Sequence, residues 1–99
     1  MQARHYFIID YVRRVINLNK KTSICDFACG EGSLLIKLRE YFDLANLYGT
    51  EHSIKNIKII KKTFTKKSYK SPKLFSDSIE DFQNKNKNLK FDVGIICWT

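Results

Sequence analysis

Apolar positions along this chain switch period several times, and the switches mark out its elements. Ile8, Tyr11, Val12, Val15 and Ile16 recur at i, i+3, i+4, i+7 and i+8, which predicts an N-terminal helix with one buried stripe. A polar link at 17–22 leads into a short apolar run, Ser23 to Phe27, that reads as a strand. Helical spacing returns at Leu34, Leu35, Leu38 and Phe42 and predicts a helix from near Gly32 to Phe42. Leu47 to Thr50 reads as a second strand, ending at Glu51. Ser53 is the expected N-cap of a third helix, with Ile54, Ile57, Ile60 and Phe64 on its apolar face. Beyond the break at 68–72, Lys73-Leu74-Phe75 is a brief third strand, and Asp77 to Phe82 is a turn or a short helix. Asn84 to Asn88 is a loop by composition. Phe91 to Cys97 is a fourth strand, apolar nearly throughout and therefore expected to be central. Strands alternating with helices imply an α/β fold with a parallel sheet and right-handed crossovers.

The junction between the first strand and its helix, Asp26-Phe27-Ala28-Cys29-Gly30-Glu31-Gly32-Ser33, carries the candidate chemistry. A strand, a tight loop of small residues and a helix N-terminus together present backbone N–H groups to a ligand. Glycines there let the backbone adopt conformations that a Cβ forbids and approach the ligand closely. An adenosine-containing cofactor is the expected ligand.

Composition narrows the possibilities. Ninety-nine residues make one small domain at most, and 43% hydrophobic content suits a folded chain. The early apolar run Tyr6-Phe7-Ile8-Ile9 is cut by Asp10, and no stretch approaches membrane-spanning length, so the expected location is cytoplasmic with no membrane partner. Three cysteines, Cys25, Cys29 and Cys97, fit reduced thiols. Two of them form C-x3-C and His52 is conceivable as a third ligand, but a structural zinc site needs four, so no metal is expected. The net charge of +8 invites a nucleic-acid partner. Yet 14 of the 18 basic residues are lysine, crowded at Lys55, Lys58, Lys61, Lys62, Lys66, Lys67, Lys70 and Lys73, which favours a solvated charged face over base and phosphate recognition.

Asp26-Phe27-Ala28-Cys29-Gly30-Glu31-Gly32 resembles the glycine-rich first motif of the class I S-adenosylmethionine-dependent methyltransferases, with Ala28 where many members carry a first glycine. Glu51, 19 residues past Gly32, then Asp77 and Phe91-Asp92-Val93, follow in that family's order. The resemblance implies a Rossmann-like three-layer sandwich, with a partial parallel sheet of order 3-2-1-4. It implies S-adenosyl-L-methionine as cofactor, with Asp26 on its ammonium group and Ala28, Cys29, Gly30, Glu31 and Gly32 around its methionine half. Glu51 would accept from the ribose hydroxyls, and His52 would lie against the adenine. Asp77 would accept from the adenine amino group, the Ser78 N–H would donate to a ring nitrogen, and the Cys97 carbonyl would face the methionine end. No catalytic residue is assigned.

A dinucleotide is the competing ligand. It is disfavoured because Ala28 and Ser33 break G-x-G-x-x-G and because Asp26 and Glu31 would repel a pyrophosphate. The family's full sheet has seven strands, and residues 1–99 correspond to its cofactor-binding N-terminal half, apparently truncated after the fourth strand. The expected function is methyl transfer by the intact protein to a small-molecule or sugar-containing acceptor. A truncated non-catalytic remnant, or a binding module completed by another chain, is the alternative. A further alternative is an RNA methyltransferase using the lysine-rich helix as a phosphate track.

Overall fold

The computed structural model describes residues 3–15 and 21–96, with the Val15 side chain undescribed. Four helices and four strands alternate: α1 (Ala3–Val15), β1 (Ser23–Phe27), α2 (Ser33–Tyr41), β2 (Asn46–Thr50), α3 (Ile54–Lys66), β3 (Lys73–Phe75), α4 (Ile79–Lys85) and β4 (Val93–Ile96). The strands form one parallel sheet in the order β3-β2-β1-β4, the Rossmann-like arrangement expected. In register, Asp26 stands beside Gly49 on β2 and Ile95 on β4.

Strand alternation divides the sheet into two chemically different faces. Leu47, Leu74 and Ile95 pack into an aliphatic core with Ile9 and Val12 of α1, Leu34, Leu35 and Leu38 of α2, and Ile60 and Phe64 of α3. Their neighbours Tyr48 and Phe75 turn the other way. With Phe27, Phe91 and Phe82 of α4 they form a chain of ring contacts, Phe75 to Phe82 at 4.7 Å and Tyr48 to Phe91 at 5.0 Å between centroids. The result is three layers, with α1, α2 and α3 on one side of the sheet and α4 on the other. Full burial of side chains such as Phe64 and Ile60 contributes about 1.5–3 kcal/mol each.

Some expectations require correction. In α1 the buried stripe is His5, Ile9 and Val12, whereas Tyr11 is 65% exposed. The helix is rotated by about one position from the expected phase, because Ile9 rather than Ile8 supplies the most buried contact. Ile16 lies outside the described residues. Ile54 is also exposed, since it opens α3 one turn before the helix reaches the sheet, while Ile57, Ile60 and Phe64 are buried as expected. The segment after β3 is a helix reaching Lys85, beyond Phe82: Ser78 caps its first turn by accepting from the Asp81 N–H at 3.1 Å, and Asn86 closes its last turn by donating its N–H and Nδ2 to the Phe82 carbonyl at 3.0 and 2.9 Å. The fourth strand is an edge of the described sheet rather than central, with Ile96 54% exposed. Its apolar run is buried mainly through Ile95, which faces the aliphatic core. Among the described residues no helix is long and apolar enough to cross a membrane.

Candidate functional site

Strand order reverses at β1: the chain builds outward through β2 and β3, then returns to place β4 on the other side. In open parallel sheets such a switch point leaves a crevice outside the carboxyl ends of the strands. The loop from Ala28 to Gly32 occupies that end, and three of its residues have left-handed backbones: Ala28 at φ 56°, Gly30 at 60° and Gly32 at 87°. For Ala28 this conformation costs about 1–2 kcal/mol. Thr50, at the end of β2, holds it there. Its Oγ1 accepts from the Ala28 N–H at 3.0 Å and its carbonyl from the Cys29 N–H at 2.9 Å.

The two glycines serve different ends. A Cβ on Gly30 would meet nothing within 4 Å, so this residue presents bare backbone to open space. A Cβ on Gly32 would stand 2.7 Å from Cγ1 of Ile60, so Gly32 lets α3 pack against the loop. Helix α2 then starts with Gly32 itself in the capping position, without a side-chain cap.

Two carboxylates are buried beside this loop. Asp26 is 3% exposed, and desolvation raises its carboxyl to about 7. Glu51 is 6% exposed and accepts three hydrogen bonds, from the Gly30 N–H to Oε1 at 3.1 Å and from the Ser53 N–H and Asn56 Nδ2 to Oε2 at 3.2 and 3.1 Å. It therefore ties the glycine loop to the N-terminus of α3, where the helix dipole also favours a negative charge. Its backbone N–H donates to the Phe75 carbonyl at 2.9 Å and so binds the end of β2 to β3.

The remaining candidates lie at the same end of the sheet with less definition. Glu31 and His52 are exposed. Asp77 follows β3 and pairs with Lys85 at 2.9 Å through Oδ1, and Ser78 caps α4. Cys97 lies outside the described residues. The Cys29 and Cys25 thiols are both pushed up to about 12, chiefly by burial, and Asp26 adds to the shift at each. They are neutral and poor metal ligands or nucleophiles. No group of three or more metal-ligating side chains occurs among the described residues. Thr50 and Asn56 were not anticipated from sequence. Only the position of Asn56, three residues after the cap Ser53, was a signal that it would sit at the helix entrance.

Residues 18–98 match the profile of a methyltransferase domain. The chain belongs to the methyltransferase-domain family. No curated protein sequence matches it. Among solved structures it is similar to the magnesium protoporphyrin IX methyltransferase ChlM from Synechocystis PCC 6803 with bound SAM, at a TM-score of 0.71 and 22% identity, covering 94% of this chain and 42% of that one. A S-adenosylmethionine-dependent methyltransferase from Clostridium acetobutylicum ATCC 824 aligns with a TM-score of 0.71 at 22% identity, over 98% of this chain and 37% of that one. The plantazolicin methyltransferase BpumL in complex with SAH gives 0.68 at 22% identity, over 93% and 32%. The methyltransferase domain described here thus spans 32% to 42% of the length of these three proteins.

Proposed function

We propose that this methyltransferase domain binds S-adenosylmethionine at the carboxyl ends of β1, β2 and β3, as the cofactor-binding half of an enzyme that methylates a small or sugar-containing acceptor. The observation that carries the reading is the pair of buried carboxylates, Asp26 and Glu51, on either side of a loop whose Gly30 leaves space for a ligand. A dianionic pyrophosphate would be repelled there, whereas a ligand with a cationic ammonium and sulfonium and no phosphate is attracted. The similar structures named with SAM or SAH support the same cofactor, and the one named for magnesium protoporphyrin IX supports a small acceptor.

When bound, the cofactor supplies a methyl group on a positively charged sulfur. This chain's residues supply placement. Asp26 holds the ammonium, directly or through water, and Gly30 allows close approach of the methionine half, flanked by Ala28, Cys29, Glu31 and Gly32. Glu51 already accepts three hydrogen bonds, which leaves one of the about four acceptor sites of a carboxylate for a ribose hydroxyl. His52 lies against the adenine. Oδ2 of Asp77 takes the adenine amino group while Oδ1 stays on Lys85, and the Ser78 N–H donates to the ring. Rate in such a reaction comes mainly from aligning the acceptor with the methyl group.

Calorimetric titration of the chain with S-adenosylhomocysteine and, separately, with NAD tests the proposal. The expected result is saturable binding of S-adenosylhomocysteine alone, weakened about tenfold or more by Glu51→Gln. Preference for NAD, or binding indifferent to Glu51→Gln, would overturn it.

A further inference from the structure

At the opposite end of the sheet, where β2 and β3 begin, lies a cavity of about 240 Å³. Its lining includes Arg39, Lys70 and Lys73 together with Ser71, Asn46 and Tyr48, and contains no carboxylate. Arg39 is only 5% exposed although it carries a full charge. Its Nε donates to the Lys70 carbonyl at 3.2 Å, and its Nη1 to the carbonyls of Asp43 and Ala45 at 3.1 and 2.7 Å. These bonds fix the guanidinium between the end of α2 and the segment before β3. They leave Nη2 without a hydrogen bond among the described residues.

A buried cation is normally matched by an anion. Among the described residues Arg39 has no ion pair, and neither Lys70 nor Lys73 has one. Asp43 acts on the Arg39 charge, but it is exposed and outside the lining. A clamp for the turn after α2 accounts for Nε and Nη1 alone. It does not account for two lysines brought to the same cavity, beside the Ser71 hydroxyl and the Asn46 amide. A planar guanidinium fixed by carbonyls, in a cavity also lined by two lysines, is a donor set for tetrahedral oxyanions.

We infer that this cavity is a second ligand site, distinct from the cofactor end of the sheet, which takes a small phosphate-bearing anion through Arg39, Lys70 and Lys73. A cavity of this size suits a compact phosphate or diphosphate group, whereas the backbone of a polynucleotide would run along the lysine face of α3 instead. The inference stands independently of the cofactor assignment, because none of the residues involved belongs to that site.

The test is calorimetric titration of the whole chain with inorganic pyrophosphate at fixed ionic strength. Two charge-matched double variants are compared, Lys70→Gln with Lys73→Gln, and Lys58→Gln with Lys61→Gln on the exposed face of α3. All four side chains are exposed, so neither pair removes core packing. The expected result is one saturable site, weakened about tenfold or more in the first variant and by less than about twofold in the second. S-adenosylhomocysteine affinity should be the same in both. Equal weakening in the two variants would reduce the effect to diffuse charge and overturn the site. Absence of saturable binding would overturn it too, as would a short RNA that binds more tightly than pyrophosphate and depends equally on all four lysines.

Discussion

Asp26 concentrates the physical cost of this site in one side chain. Its carboxyl titrates near 3.8 in the unfolded chain and near 7 in the folded one, so between those values the native state holds the extra proton. Stability therefore falls as pH rises from about 4 to about 7 and is level above that. Asp26→Asn should remove this slope, making the variant more stable than the parent by a few kcal/mol at pH 8 and equal to it below pH 4, as measured by urea unfolding across the range. The same burial has a functional counterpart. A cationic ammonium favours ionised Asp26, so affinity for S-adenosylhomocysteine should rise between pH 6 and pH 8, and the rise should vanish in Asp26→Asn. A gain in affinity with pH that survives the substitution would place the titrating group elsewhere. The position of Asp26 beside the glycine loop was legible in the sequence, because it stands near the end of the apolar run that reads as the first strand. Thr50 and Asn56 were not legible, since each acts on a loop or a carboxylate that only the folded sheet brings within reach.

Among the elements, the glycine loop and the start of α3 behave as one unit. Gly32→Ala forces a Cβ to 2.7 Å from Ile60 at φ 87° and should destabilise the chain by about 1–3 kcal/mol in denaturant unfolding. Gly30→Ala meets no neighbour and should cost about 1 kcal/mol of backbone strain, while weakening cofactor binding far more than that loss of stability accounts for. If the two variants lost stability and binding in the same proportion, the separate tasks assigned to these glycines would be wrong. Ser53 accepts from the Asn56 N–H at 3.2 Å, so Ser53→Ala should cost about 1 kcal/mol through the helix cap. The boundaries of β1 and β3 follow from short apolar runs with clear ends, and the inward face of α2 from its 3.6-residue period. The phase of α1 and the exposure of Ile54 do not. Apolar residues there continue past the buried stripe, and only the position of the sheet decides which of them it covers.

At the scale of the whole molecule, the carboxyl ends of β1, β2 and β3 gather Asp26, Glu51 and Asp77, and Arg39, Lys70 and Lys73 line the cavity where β2 and β3 begin. The strand order was foreseen from the resemblance rather than from periodicity, since alternating strands and helices imply a parallel sheet without fixing which strands are neighbours. The lysine cavity was not foreseen, because Arg39 is remote in sequence from Lys70 and Lys73 and meets them only in the folded chain, where its Nε donates to the Lys70 carbonyl. The central claim is that the cofactor lies at the carboxyl ends, and an NMR titration of the 15N-labelled chain with S-adenosylhomocysteine tests it most directly. The account predicts saturable shifts confined to the amides of Ala28 to Gly32, Glu51, His52, Asp77 and Ser78, with those of Lys70 and Lys73 unmoved. Saturable shifts centred on the amino ends of β2 and β3, or none in a spectrum with folded dispersion, would contradict it.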